Sequence, residues 1–178
     1  MKILAIQNRM GIGDMVIFLP YIEAVAKKYN SQVTLLVKEN SKAEHLIKDN
    51  KYINEIIILK RDQTKKGFHD GLNGFFRLVS DIKKYQFDKV LIFNSSLRYR
   101  LVCRFAGIND IYQYPLFEKK NQHIVDAANN LLKNKFNLEI KSDPVINIKD
   151  ENIQNIRAKS SSKENVRGRA PNIYYFCK

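Results

Sequence analysis

Along this chain, short unbroken apolar runs alternate with longer stretches whose apolar positions recur every three or four residues. Residues 2–7 (KILAIQ), 32–37 (QVTLLV), 55–59 (EIIIL) and 89–93 (KVLIF) are runs of the first kind, the signature of strands buried on both faces. Residues 111–114 are read as a short fifth strand. Between the first two runs, residues 14–29 place Val16, Leu19, Ile22, Val25 and Ala26 on one helical stripe. Pro20 falls inside that stretch and predicts an irregular start or a bend. A second helix is predicted from Ser41, a cap with Glu44 three residues on, to Lys48. Residues 75–84 form a third. Leu97, Leu101 and Phe105 mark a fourth that Gly107 closes. Residues 123–136 form a fifth, with Ile124, Ala127, Ala128, Leu131 and Leu132 facing inward. The polar, basic segment 60–74 is read as a long loop.

Buried strands alternating with helices predict an α/β fold: a Rossmann-like parallel sheet with helices on both faces, joined by right-handed crossovers. This domain is expected over residues 1–148. Residues 149–178 differ. From Arg157 onward the chain is rich in Ser, Lys and Arg, and its one acidic residue is Glu164. Such a composition buries too little apolar surface to offset its ordering entropy, so a poorly ordered basic tail is expected. No internal repeat is visible.

With 178 residues the chain can build one core of ordinary size. No apolar run approaches the roughly 20 residues of a transmembrane helix, and a polar Gln-Asn-Arg follows the first strand too soon for a signal peptide. A cytoplasmic location is expected. The two cysteines, Cys103 and Cys177, lie far apart with no CxxC, which reads as reduced thiols. A net charge of +13 favours anionic ligands, although a lysine-rich surface alone would produce the same sum. No RRM, KH or helix-turn-helix pattern accompanies the charge, so no nucleic-acid partner is expected. No His, Cys and carboxylate grouping has metal-ligand spacing.

Ligands of doubly wound sheets bind beyond the carboxyl ends of the strands. The first loop there is Asn8-Arg9-Met10-Gly11-Ile12-Gly13-Asp14. Gly11 and Gly13 resemble the start of a dinucleotide fingerprint, but its third glycine is missing. Asp14, at the entry to the helix, has two readings. It is a helix N-cap accepting free backbone N–H groups, or a carboxylate placed to take a proton from a substrate hydroxyl.

Lys60, Arg61, Lys65 and Lys66 follow the third strand and are read as contacts to the phosphate or carboxylate groups of an anionic acceptor. Arg98, after the fourth strand, is read as a bidentate anion partner and ranked above Arg100 and Arg104. His69-Asp70 and His45 are read as surface features, and His123 as a helix start. Cys103 has no neighbour that suggests an activated thiol.

The segment KILAIQNRMGIGDMVIFLPYIEAVAKKY resembles the opening of glycosyltransferase family 9, the ADP-heptose:lipopolysaccharide heptosyltransferases. That family begins with a strand, a small-residue loop ending Gly-Asp, and an apolar helix containing a Pro; Gly13, Asp14 and Pro20 fall on those positions. VTLLVKENSKAEHLIKDNKYINEIIILK is similar to its second strand, helix and third strand, and KYQFDKVLIFNSSLRYRLVCRFAGI to its fourth strand and the Arg-bearing helix after it. His123-Ile-Val-Asp126 resembles the start of the helix leading to the interdomain region, so the likeness runs from about Met1 to Leu138.

The resemblance implies one half of a GT-B architecture, the acceptor side, and favours the catalytic reading of Asp14. In that reading Asp14 is the base of an inverting transfer, and Gly11, Gly13, Lys60, Arg61, Lys65, Lys66 and Arg98 line the acceptor site. No cofactor is implied, since the nucleotide-sugar donor, such as ADP-heptose, is a substrate. The implied partners are an anionic lipid-linked saccharide acceptor and a peripheral contact with the inner membrane face.

Family members carry a second, donor-binding domain, and no glycine-rich donor loop follows Pro144 here. A truncated or frameshifted product, inactive by itself, is therefore expected. The competing reading is a basic Rossmann-like module that binds a nucleotide, a nucleic acid or an anionic membrane surface.

Overall fold

A computed structural model describes residues 1–9, 11–47, 50–61, 67–116 and 123–140. The chain divides into two compact units, Met1–Ile146 and Asn147–Lys178. The second lies outside the described residues, as does the expected basic tail.

The first unit runs β1 (Ile3–Gln7), α1 (Ile12–Tyr29), β2 (Val33–Lys38), a 3-10 turn (Glu39–Ser41), α2 (Ala43–Leu46) and β3 (Ile53–Leu59). It continues through α3 (Gly71–Lys83), β4 (Lys89–Ile92), α4 (Leu97–Phe105), β5 (Asp110–Gln113) and α5 (Ile124–Phe136). All strand pairs are parallel, in the order β3-β2-β1-β4-β5. The Rossmann-like α/β fold expected from periodicity is thus the observed one.

Pleating divides each strand between two cores. Ile3, Ala5, Val33, Leu35 and Leu91 face α1, α2 and α5, where the Phe18 and Phe93 rings meet at 4.9 Å. Leu4, Ile6, Leu36, Val90 and Ile92 face α3 and α4. In β1, β2 and β4 both faces are covered, leaving no solvated side to mark with polar residues. At the sheet edge, β3 keeps Asn54 and Glu55 exposed and Ile56, Ile57 and Ile58 half-buried, which corrects the reading of residues 55–59 as buried on both faces.

Helix ends differ from the expected ones where side-chain chemistry competes with periodicity. The first helix begins at Ile12, not Asp14, because Gly11 turns the chain at a φ of 127°. It runs on through Pro20 for 18 residues despite the bond that proline removes. The second helix is a single turn, since Ser41 closes a 3-10 turn by donating to the Lys38 carbonyl at 2.7 Å; Lys48 is outside the described residues. The third starts at Gly71, four residues before the predicted Phe75, and takes in two glycines of the segment expected as loop. Gly107 closes α4 as predicted: its N–H reaches the Arg104 carbonyl, and that of Ile108 the Cys103 carbonyl.

Strand order reverses between β1 and β4. The chain leaves β1 toward β2 and β3, then returns to the other side of β1. The β1–α1 and β4–α4 loops consequently face each other across the crevice at the carboxyl edge, the place where such sheets bind ligands.

Candidate functional site

The β1–α1 loop supplies the central acidic group. Gly11 occupies the N-cap position of α1 without any side-chain cap bond, and Asp14 lies in the first helical turn. Asp14 is therefore not the N-cap, which corrects one of its two sequence readings. Its half-buried carboxylate has no hydrogen-bond or ion-pair partner among the described residues, and Oδ2 lies 3.8 Å from the point where a Cβ on Gly11 would stand. Gly13 differs from Gly11: its φ is unexceptional and a Cβ there would meet nothing within 4 Å.

Beside this loop, Tyr99 of α4 is almost wholly buried, and its phenol oxygen accepts from Asn8 Nδ2 at 3.4 Å and Arg61 Nη1 at 3.3 Å. Arg61 Nε donates to Asp70 Oδ1 at 2.7 Å. Burial alone would lower the Arg61 pKa, but the hydrogen bonds to Asp70 and Tyr99 raise it.

Arg98 Nη2 donates to the carbonyls of His69 at 2.9 Å and Gly71 at 3.0 Å, and its Nε is buried without a partner among the described residues. The Nε–Nη2 edge of Arg98 is thus turned toward the β3–α3 loop. Burial, then the neighbouring Arg61 charge, lowers its pKa. Lys60 is exposed with no side-chain partner among the described residues. Lys65 and Lys66 lie outside them.

His69 is not a surface feature. It is 3% exposed, and its Nδ1 accepts the Lys60 backbone N–H at 3.1 Å. In the neutral ring this places the proton on Nε2, which donates to Asp81 Oδ2 at 3.2 Å. Gly74 allows this packing, because a Cβ there would stand 2.2 Å from the His69 carbonyl carbon. Together His69, Arg61 and Arg98 tie the β3–α3 loop to α4, and they act mainly as struts.

Sequence reasoning missed the cavity beyond β4 and β5. About 530 Å³ in volume, it is lined by Arg9, Ser95, Gln113, Tyr114, Asn130 and Lys135 among others. Gln113 is 8% exposed; its Nε2 donates to the carbonyls of Asn94 at 3.0 Å and Ser96 at 2.9 Å, leaving Oε1 unpartnered among the described residues. The Tyr114 hydroxyl is likewise buried and unpartnered among them, and burial raises its pKa against the pull of Arg9. Two cations with amide and hydroxyl groups suit a hydroxylated, anionic ligand. The one available sequence signal is Arg9, in the same loop as Asp14. No group of three or more His, Cys, Asp or Glu among the described residues is placed to hold a metal.

No protein-family model matches the sequence, and no curated protein does. Solved structures do resemble it. A family 9 glycosyltransferase from Veillonella parvula superposes with a TM-score of 0.68 at 18% identity, over 95% of this chain and 50% of that one. E. coli ADP-heptose lipopolysaccharide heptosyltransferase II gives 0.62 at 15%, over 90% and 51%. E. coli heptosyltransferase WaaC with ADP-2-deoxy-2-fluoro heptose gives 0.53 at 12%, over 81% and 51%. The fold is thus shared with one half of GT-B glycosyltransferases, and the chain spans about half the length of the structures it matches.

Proposed function

We propose that this chain forms the acceptor side of a sugar transferase of the heptosyltransferase kind, with Asp14 as its base. The acceptor hydroxyl oxygen bonds to the anomeric carbon of a nucleotide-activated heptose or related sugar. The bond from that carbon to the diphosphate breaks, the nucleoside diphosphate leaves with the electron pair, and the hydroxyl proton passes to Asp14. Attack opposite the leaving group inverts the anomeric centre.

The observation that carries this reading is the unpartnered Asp14 carboxylate at the switch point of a sheet shared with heptosyltransferases. A carboxylate held by internal cations would have to lose them before accepting a proton, and Asp14 has none to lose among the described residues. Gly13 supports it: neither backbone nor packing requires a glycine there, so close approach of a ligand accounts for it. The acceptor we infer is an anionic lipid-linked saccharide, with Lys60 available to an anionic group.

These 178 residues span about half the length of the heptosyltransferases they resemble, and we infer that tested by themselves they bind acceptor without transferring the sugar. A transfer assay with ADP-heptose and a deacylated lipopolysaccharide acceptor checks this. We expect no turnover. Turnover abolished by Asp14→Ala would overturn the claim of inactivity and support the base; turnover indifferent to Asp14→Ala would overturn both. The cavity with Arg9 and Lys135 also suits a nucleotide, the basis of a competing reading. Tight binding of ADP without acceptor binding would favour that reading.

A further inference from the structure

Buried polar atoms without a partner gather at the carboxyl ends of three adjacent strands. Among the described residues they include both amide atoms of Gln7 in β1, Asn94 Nδ2 just beyond β4, Gln113 Oε1 at the end of β5 and the Tyr114 hydroxyl next to it. A folded protein leaves few such atoms, so a group of them at one edge marks a missing polar partner. Gln113 and Tyr114 both line the cavity of about 530 Å³, a volume within the roughly 300–1,000 Å³ of small-molecule sites.

The chemistry of the wall selects the ligand. Gln113 directs its amide N–H groups to the carbonyls of Asn94 and Ser96, at 3.0 and 2.9 Å, so Oε1 remains as an acceptor and requires a donor. An ionised phosphate or carboxylate oxygen offers none, whereas a ligand hydroxyl does. Arg9 and Lys135 are donors only, form no ion pair among the described residues, and require an acceptor. Asn130 and Asn134, four apart on one face of α5, add amides that both donate and accept. A bare anion leaves Gln113 unmet, and a neutral sugar leaves the two cations unmet. A saccharide that carries an anionic group meets both. A nucleotide meets the same count but also presents a base to be stacked. Tyr114 is the one aromatic residue in the lining, and its ring already packs edge-on against Phe93 at 6.3 Å.

We propose that this cavity is a binding site for a sugar ring bearing a phosphate or carboxylate. Gln113 Oε1 and the Tyr114 hydroxyl meet ring hydroxyls, and Arg9 and Lys135 meet the anionic group. The proposal rests on the acceptor reading in one respect, that the ligand is a saccharide. Asp14 has no part in it.

NMR titration of the full chain with glucose 6-phosphate, glucuronate, glucose, inorganic phosphate and ADP tests it. We expect glucose 6-phosphate or glucuronate to shift the Gln113 side-chain amide and the Tyr114 backbone amide saturably, with glucose and inorganic phosphate about tenfold weaker or more. The tighter of the two anionic sugars identifies the anionic group. Arg9→Gln with Lys135→Gln should weaken that sugar about tenfold and leave glucose unchanged. Tyr114→Phe should weaken every sugar and unfold no earlier than the parent, since its hydroxyl has no partner among the described residues to lose.

Inorganic phosphate binding as tightly as the anionic sugars would overturn the proposal in favour of a plain anion site. Tighter binding by ADP would overturn it in favour of a nucleotide. No shift at Gln113 and Tyr114, the result if water alone fills the cavity, would overturn it too. In a titration with deacylated lipopolysaccharide core saccharide, shifts here without shifts at Gly13 and Asp14 would count against the base and support this site. Shifts there without shifts here would overturn this site alone.

Discussion

The carboxylate of Asp14 folds back toward Gly11, placing Oδ2 3.8 Å from where a Cβ on that glycine would stand. One residue supplies the turn, with a φ of 127°, and the other supplies the charge, three positions later in the same helical opening. The two glycines of this loop consequently answer to different constraints, and substitution separates them.

Gly11→Ala is expected to destabilise the protein by roughly 1–3 kcal/mol, because a side chain is strained at that φ. Gly13→Ala is expected to stabilise it by about 0.4–1 kcal/mol, since alanine suits a helix and narrows the unfolded ensemble. Acceptor binding should nonetheless weaken in the second variant. Urea unfolding and acceptor titration of both variants check this. A destabilised Gly13→Ala chain would show that glycine is structural.

Gly74→Ala should be among the most damaging single substitutions outside the sheet. The added Cβ would stand 2.2 Å from the His69 carbonyl carbon and 2.7 Å from its Cα, so either α3 or the His69 turn must move. We expect a loss of about 1–3 kcal/mol in urea unfolding, as for other overpacked sites. A stability equal to the parent would contradict the packing of α3 against that turn.

How much of this is legible in the amino-acid sequence depends on what each segment packs against. Ile3–Gln7, Val33–Lys38 and Lys89–Ile92 are covered on both faces, so their burial is written directly in their apolar runs. Asp14 stands out because a carboxylate after a glycine loop has a limited set of roles. Residues 60–74 are opaque for the opposite reason. Among the described residues of this segment, Arg61 pairs with Asp70 and His69 with Asp81 of α3, and such pairing leaves no periodicity. The cavity is equally hidden, because Arg9, Gln113 and Lys135 converge from three separated segments.

The His69–Asp81 contact should appear in the acid limb of stability. Burial alone would raise the Asp81 pKa, but hydrogen bonds from Lys84 and His69 hold it below the ordinary 3.8. A depressed folded pKa means that stability is fully present above the unfolded value and is lost as pH falls through the folded one. Asp81→Asn should therefore flatten the dependence of unfolding free energy on pH between about pH 5 and pH 2. An acid limb identical to the parent's would contradict the contact.

Cys103 should be inert while the protein is folded. Burial pushes its thiol up to about 12, and its side chain is inaccessible. In a Cys177→Ser chain, alkylation at pH 8 should be slower than in urea by about a thousandfold or more, from the loss of thiolate alone. Comparable rates in the two conditions would mean that the core around α4 is open.

The central claim is that the Gly11–Asp14 turn receives a sugar acceptor, and the most direct measurement is an NMR titration of the 178-residue chain with a deacylated, phosphorylated lipopolysaccharide core saccharide. The predicted result is saturable binding that shifts the amides of Gly11, Gly13 and Asp14. Asp14→Ala, with its fold intact, should weaken binding about tenfold for the lost charge-assisted hydrogen bond. Saturable binding that leaves those amides unmoved and is indifferent to Asp14→Ala would contradict the account, as would no binding at all.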